Sequence, residues 1–354
     1  MRSGFAAFIV ALIVGGVSAI GGQVVGAARP AVSGNLLVDT YGKLWIVSPS
    51  GAMQMLMDRA TVGVLSPDGK RVAVLSGDRT LSVLSLDTRA RKDVVTLPAG
   101  THFGEIVWSP DGRFIGYEAM DMGTGDHLYL VSVDTEHATP RDLGKWYQGL
   151  SFSPDASRIA HAVNFPVQGL EVLDVRTGKR MLVHKTSKVV WDATFSPDGR
   201  HIAYRTTVKD PPAATDEDPN CEPPTLGLRV YTLADGSDRA LAIRAPKEWE
   251  DVKGYAWSPD GNRIALMVGT VDCDYPGSAV GVFITTLDSK SQVRISKSSM
   301  ALDPVFSPDG SELAFADAQE MPAKLVRYNL VTGALVPIIK GTESDNYFHL
   351  HGWK

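Results

Sequence analysis

The chain has 354 residues, is 44% hydrophobic and 21% charged, and carries a formal net charge of −5. Such a composition belongs to a folded globular protein. An acidic sum without a basic face excludes an electrostatic nucleic-acid binder.

The first segment, 1–28, has one early arginine, Arg2, followed by uncharged residues from Ser3 to Ala28. Its apolar core runs from Phe5 to Ile20, with small residues at Gly26 and Ala28. These are the parts of a secretory signal cut near Ala28, and the same run is long enough to serve as an uncleaved membrane anchor. Both readings stay open, and both put the rest of the chain outside the cytoplasm, in a periplasmic, cell-surface or secreted setting. A short linker, 29–34, then leads to a single domain over 35–354.

That domain is built on a repeat. LSPDG at Leu65 is followed by WSPDG at Trp108, FSPDA at Phe152, FSPDG at Phe195, WSPDG at Trp257 and FSPDG at Phe306. The intervals between their prolines are 43, 44, 43, 62 and 49 residues. After each copy comes an aliphatic, a small and a large residue, as in Ile115-Gly116-Tyr117 and Ile202-Ala203-Tyr204. This alternation predicts a strand, and its small middle position predicts a close neighbour on that face. Four short strands in about 43 residues are the arithmetic of a propeller blade.

Ser-Pro-Asp-Gly itself suits a tight turn, with proline presetting φ at the second position and glycine taking positive φ at the fourth. The turn accounts for the aspartate in every copy without assigning it chemistry. The large residue before each turn ends the innermost strand and is expected to wedge between blades.

Seven segments can serve as innermost strands: the six that end in the motif, and Tyr347–Lys354, where Trp353 takes the wedge position. Asn35–Asp58 supplies three strands and lacks an inner one. The expected fold is therefore an all-β, seven-bladed propeller in which the Tyr347–Lys354 strand completes the first blade and removes the free edges. Six blades is the fallback if Asn35–Asp58 lies outside the ring.

Strand direction alternates within a blade, so the SPDG turns occupy one face and the irregular segments the other. That second face holds the insertion from Val208, Met120–His127, Gly269–Ser278 and the links between blades. Loops that break a repeat are where binding is grafted. Glu105, Asp192 and Asp303, three residues before the wedge in alternate blades, are expected either to form a partial carboxylate ring at the channel mouth, suited to a cation or a basic peptide, or to be solvated strand ends. Trp146, Tyr147, Trp191 and Trp249 beside it are candidates for anchoring a partner, or for propping loops.

Cys221 and Cys273 fall in neighbouring loops of that face. A disulfide is the favoured reading for an exported chain, with two free thiols or a metal pair as alternatives. His349 and His351, two apart on a strand, have the spacing of a metal pair without an evident third ligand, whereas His161 reads as a satisfied core histidine. No GxSxG, HExxH or phosphate-loop motif occurs outside the leader.

At the repeated [WF]SPDG and the strand after it, the chain resembles the TolB-type β-propeller repeat family over nearly all of the domain. The resemblance implies a propeller that serves translocation proteins, propellers of prolyl-oligopeptidase-like enzymes and some propeller lyases. TolB itself is exported and binds protein partners at the channel face of a six-bladed propeller preceded by an α/β domain. The expected function is thus a non-catalytic, exported, monomeric module that binds a protein or cell-envelope polymer and uses no cofactor. The alternative is a lyase- or lactonase-type propeller enzyme with a divalent metal at the channel mouth.

Overall fold

A computed structural model describes residues 34–354 apart from 41, 49–51, 78, 122–124, 136–137, 146–147, 210–224, 246–250, 271–279, 297, 321–322 and 341–348. The described residues form seven four-stranded antiparallel sheets, one per blade. None of them builds a helix long and apolar enough to cross a membrane. The leader, Cys221, Cys273, Trp146, Tyr147 and Trp249 all lie outside the described residues.

Blade 1 has the strand order β28-β1-β2-β3, in which β28 (His349–Trp353) pairs antiparallel with β1 (Leu36–Thr40). Leu36 faces Trp353 and Val38 faces Leu350. Beyond the strand ends, Asn35 and Lys354 exchange backbone hydrogen bonds. The ring has seven blades and closes as its repeat pattern predicts. The innermost strands of blades 2 to 7 are β4 (Ala60–Leu65), β8 (Thr101–Trp108), β12 (Gln148–Phe152), β16 (Val190–Phe195), β20 (Asp251–Trp257) and β24 (Ala301–Phe306).

The motif turn is built identically six times. The carbonyl of Ser66 accepts from the N–H of Gly69, and the residues at Ser109, Ser153, Ser196, Ser258 and Ser307 do the same three residues on. Each of these serines is fully buried. Its hydroxyl donates to the motif aspartate, at 2.6 Å for Ser66–Asp68 and Ser196–Asp198, and accepts the N–H five residues on, at 2.9 Å. Asp155 is held down to about 2 by the Ser153 hydroxyl and by the N–H and hydroxyl of Ser157. The turn aspartates are thus consumed by the turn.

Seven hydrophobic clusters fill the seven blade interfaces. Except between blades 1 and 2, the wedge packs on the small residue of the preceding blade, as Trp108 on Ala73, Phe195 on Ala160, Phe306 on Ala265 and Trp353 on Ala314. Gly116 leaves room for Phe152, whose ring lies 3.3 Å from where a Cβ would stand. Between blades 1 and 2 the sizes are exchanged, because the wedge there is Leu65 and the facing residue is Leu37. Gly63 accommodates that swap, since a Cβ on it would stand 2.8 Å from Leu44 and 3.2 Å from Leu37.

Deleting His349–Lys354 removes one strand but opens the ring at two interfaces, and neighbour contacts carry stability in repeat folds. The truncated chain is expected to lose its cooperative thermal transition, followed by circular dichroism and by tryptic digestion. A melting point within about 2 °C of the full chain would show that closure is dispensable.

Candidate functional site: the acidic channel

Seven innermost strands converge on the central channel, and each pairs with its second strand through a register shift. Such bulges add twist where strands crowd and re-aim side chains beside them. Glu105 lies within the shift between Phe103 and Ile106, Asp192 at the end of that between Val190 and Asp192, and Asp303 within that between Leu302 and Val305. The three predicted carboxylates therefore occupy equivalent places in blades 3, 5 and 7.

Their surroundings differ. Asp192 in blade 5 faces Arg205 of β17 (His201–Lys209), whose Nε and Nη2 both lie 2.7 Å from Asp192 Oδ2. The backbone N–H of Arg205 donates to Asp192 Oδ1 at 3.0 Å. Arg205 Nη1 also reaches into blade 6 and donates to the carbonyls of Val252 and Lys253, at 3.1 and 2.6 Å. Asp192 is a compensated charge that braces two blades.

In blade 3 the corresponding position on the second strand, β9 (Phe114–Asp121), holds Glu118. Where blade 5 sets an acid against a base, blade 3 sets Glu105 against a second acid. Glu118 Oε2 accepts the N–H of Glu105 at 3.3 Å, and Gly104 permits this because a Cβ there would stand 2.1 Å from the same oxygen. Glu105 accepts a hydrogen bond from the N–H of Leu150 in blade 4. Glu105 keeps exposed surface, although neighbouring protein atoms crowd its carboxyl. Enclosure first, then the charges of Glu118 and Asp192, push its carboxyl up to about 8. Burial, with Asp126 adding to it, also raises Glu118.

Tyr255 in blade 6 donates to the carbonyl of Ala203 at 2.8 Å and accepts from Thr194 at 3.1 Å. Burial, with Asp192 second, keeps its phenol protonated far above the usual range. Asp303 sits at φ 50° and its N–H points to the Met267 sulfur at 2.9 Å. Trp191 is half-buried beside Asp192, and its indole N–H is buried without an acceptor among the described residues.

Glu118, Arg205 and Tyr255 escaped the sequence reading. A signal existed: the residue after the aliphatic-small-large triplet is Leu75, Glu118, Ala162, Arg205, Met267 and Ala316, and only two of these are charged. Elsewhere, His161 is the satisfied core histidine expected. It is fully buried, with Nε2 2.7 Å from Glu171 Oε1 and Nδ1 3.0 Å from the carbonyl of Ala162. His349 and His351 belong to β28 by backbone, and their side chains lie outside the described residues. No group of three or more His, Cys, Asp or Glu able to hold a metal occurs among the described residues.

A ring of seven blades carrying SPDG turns is a TolB-like β-propeller. No family model matches the chain. A putative TolB from Agrobacterium tumefaciens superimposes with a TM-score of 0.53 at 18% identity, covering 78% of this chain and 95% of that one. An oligogalacturonate lyase in complex with manganese superimposes with a TM-score of 0.63 at 14% identity, covering 82% and 84%. At such identities the likeness is one of fold. Dipeptidyl-peptidase 5 of Porphyromonas gingivalis is 25% identical over 281 residues, which are 74% of this chain and 37% of that protein. The chain therefore spans little more than a third of that curated relative.

Two predictions separate the brace from the acid pair. Asp192→Ala strands a largely enclosed Arg205 and is expected to cost about 2 kcal/mol in chemical denaturation, whereas Glu118→Gln relieves repulsion and is expected to cost nothing. The second concerns pH. Folded Glu105 keeps a proton that the unfolded chain releases near the ordinary value of 4.5, up to about 8 in the fold. Its contribution to stability is full below the ordinary value, declines as pH rises and is gone above about 8. Melting curves of Glu105→Gln and the parent should therefore diverge with rising pH across that window, the variant becoming relatively more stable.

Proposed function

We propose that this chain is an exported, non-catalytic interaction propeller that captures a cationic segment of a partner protein, or a cationic group of an envelope polymer, at its channel mouth. The observation that carries this reading is the Glu105–Glu118 arrangement, in which the Glu118 carboxylate sits on the backbone N–H of Glu105 and its charge raises the Glu105 carboxyl, where the equivalent positions of blade 5 hold an acid and a base. An inserted lysine or arginine side chain supplies the charge that blade 3 lacks, and a partly desolvated channel strengthens that attraction. Export is supported by residues 1–28, which have the layout of a signal or anchor, and by the TolB proteins among the fold's neighbours.

A bound cation favours ionised Glu105, so capture releases a proton. Affinity for a short Lys- and Arg-containing peptide is expected to rise with pH and level off above about 8. Titration calorimetry in buffers of different ionisation enthalpy reads the proton directly. Glu105→Gln with Glu118→Gln is expected to weaken capture about tenfold, or 1.4 kcal/mol, and to flatten the pH profile. An unchanged affinity in that double variant would end the channel reading. Asp192 is unsuited to the test, because its loss disturbs the brace.

The rival is a metal-dependent lyase or lactonase, favoured by one observation, the fold's likeness to the manganese-bound lyase. Metal analysis of protein purified without chelator decides between them. A stoichiometric divalent metal that disappears on His349→Ala or Glu105→Gln would establish the rival.

A further inference from the structure

The circumference of blade 4 carries a second surface. Its outer strand, β15 (Arg180–Thr186), has seven residues, whereas the outer strands of blades 5 and 6, β19 (Asp238–Ala240) and β23 (Gln292–Arg294), have three each. It ends its sheet, in the order β12-β13-β14-β15. From Val175 to Trp191 there is no Asp or Glu, yet Arg176, Lys179, Arg180, Lys185 and Lys188 all fall there, in a chain with 40 acidic and 35 basic residues.

Two grooves flank this strand. One, of about 300 Å³, is lined by Lys145, Val163, Phe165, Glu171, Arg180 and Leu182 among others. The other, of about 360 Å³, is lined by Arg158, Met181, Val183, Tyr231 and Leu233, again with Leu182. Phe165 is 72% exposed, Met181 58% and Leu182 40%, large apolar groups left in water on a charged rim.

The local polar groups divide into two sets. Arg180 is spent on Glu171 and on the carbonyl of Leu143, at 2.9 and 2.7 Å, and Glu171 is also held by His161. Lys145, Lys179 and Lys185 are exposed and make no ion pair among the described residues. The strand is bulged opposite Leu170 and Glu171, and the carbonyl of Val183 accepts from the Tyr231 hydroxyl at 2.6 Å. The middle of the edge is thus blunted against simple strand addition, and recognition there falls to side chains.

We infer that β15 is a docking edge for an extended acidic segment of a partner protein, which lays apolar side chains into the two grooves and sets carboxylates against Lys145, Lys179 and Lys185. An extended chain sends successive side chains to opposite sides, which matches one groove on each side of the strand. The lysines select the charge, and Met181, Leu182 and Phe165 select apolar side chains over a plain polyanion.

The test uses the full chain and a fluorescent peptide alternating leucine with glutamate, followed by anisotropy, with polygalacturonate as the polyanion arm. The peptide is expected to bind and to shield the exposed Met181 side chain from oxidation by hydroxyl radicals. Lys179→Glu with Lys185→Glu, and separately Met181→Ser with Leu182→Ser, are each expected to weaken binding about tenfold at unchanged melting temperature. Glu105→Gln leaves it unaltered, so this edge and the channel stand or fall separately. Absence of peptide binding, or of Met181 shielding, in the parent overturns the inference whatever the variants do. So does binding that polygalacturonate reproduces and that ignores the Met181 and Leu182 changes.

Discussion

The contact on which the molecule rests is the large side chain at the end of each inner strand, pressed on a small residue of the blade before it. It sets the distance between neighbouring sheets, and a ring closes only if that distance repeats. Arginine side chains cover several of these contacts, as Arg71 lies over Trp108 and Arg263 over Phe306, with centroid distances of 5.0 and 5.8 Å. The same Arg71 and Arg263 donate to the carbonyls of Gly112 and Gly310, so each ties a wedge to the turn that follows it. Packing, cation–π attraction and turn geometry are thereby made to agree at one place. The Leu65–Leu37 interface shows that the constraint is total volume and not aromatic character, since a smaller wedge is met by a larger seat.

That constraint spends one face of the ring. A turn whose serine is fully buried and whose aspartate is fixed by hydrogen bonds has little chemistry left to offer. The other end of each inner strand is under no such demand. There the bulges let backbone direction and side-chain identity change without moving the wedge, and the blades diverge. Position by position, the second strand offers leucine, glutamate, alanine, arginine, methionine or alanine to the channel end. The acid–base brace of blade 5 and the acid pair of blade 3 are two fillings of one geometry, the first serving cohesion and the second leaving a charge requirement unmet.

The fold was legible because its determinants are short and periodic. Six copies of one string, together with Trp353 placed like Trp108, favoured seven blades and the borrowed strand over six. The place of Glu105, Asp192 and Asp303 was legible for the same reason, as an offset from the wedge. What differs among them was hidden, because it depends on a partner in the next strand. Asp192 and Glu105 look alike along the chain and become unlike only when Arg205 and Glu118 are set beside them across a ladder. His161 was readable as a core residue from its neighbours, but the Glu171 that satisfies it lies on the paired strand.

The same reasoning separates cost from purpose within the channel. A second acid beside Glu105 works against the fold, since the Glu118 charge raises the proton affinity of Glu105. A stabilising arrangement was available in the same scaffold, as blade 5 demonstrates with an arginine at the corresponding position. Gly104 goes further, since its missing side chain is what allows Glu118 to close on the backbone of Glu105. A local arrangement that opposes stability, and that a neighbouring blade avoids by one residue, is the reason the proposed capture of a cationic group is assigned to blade 3.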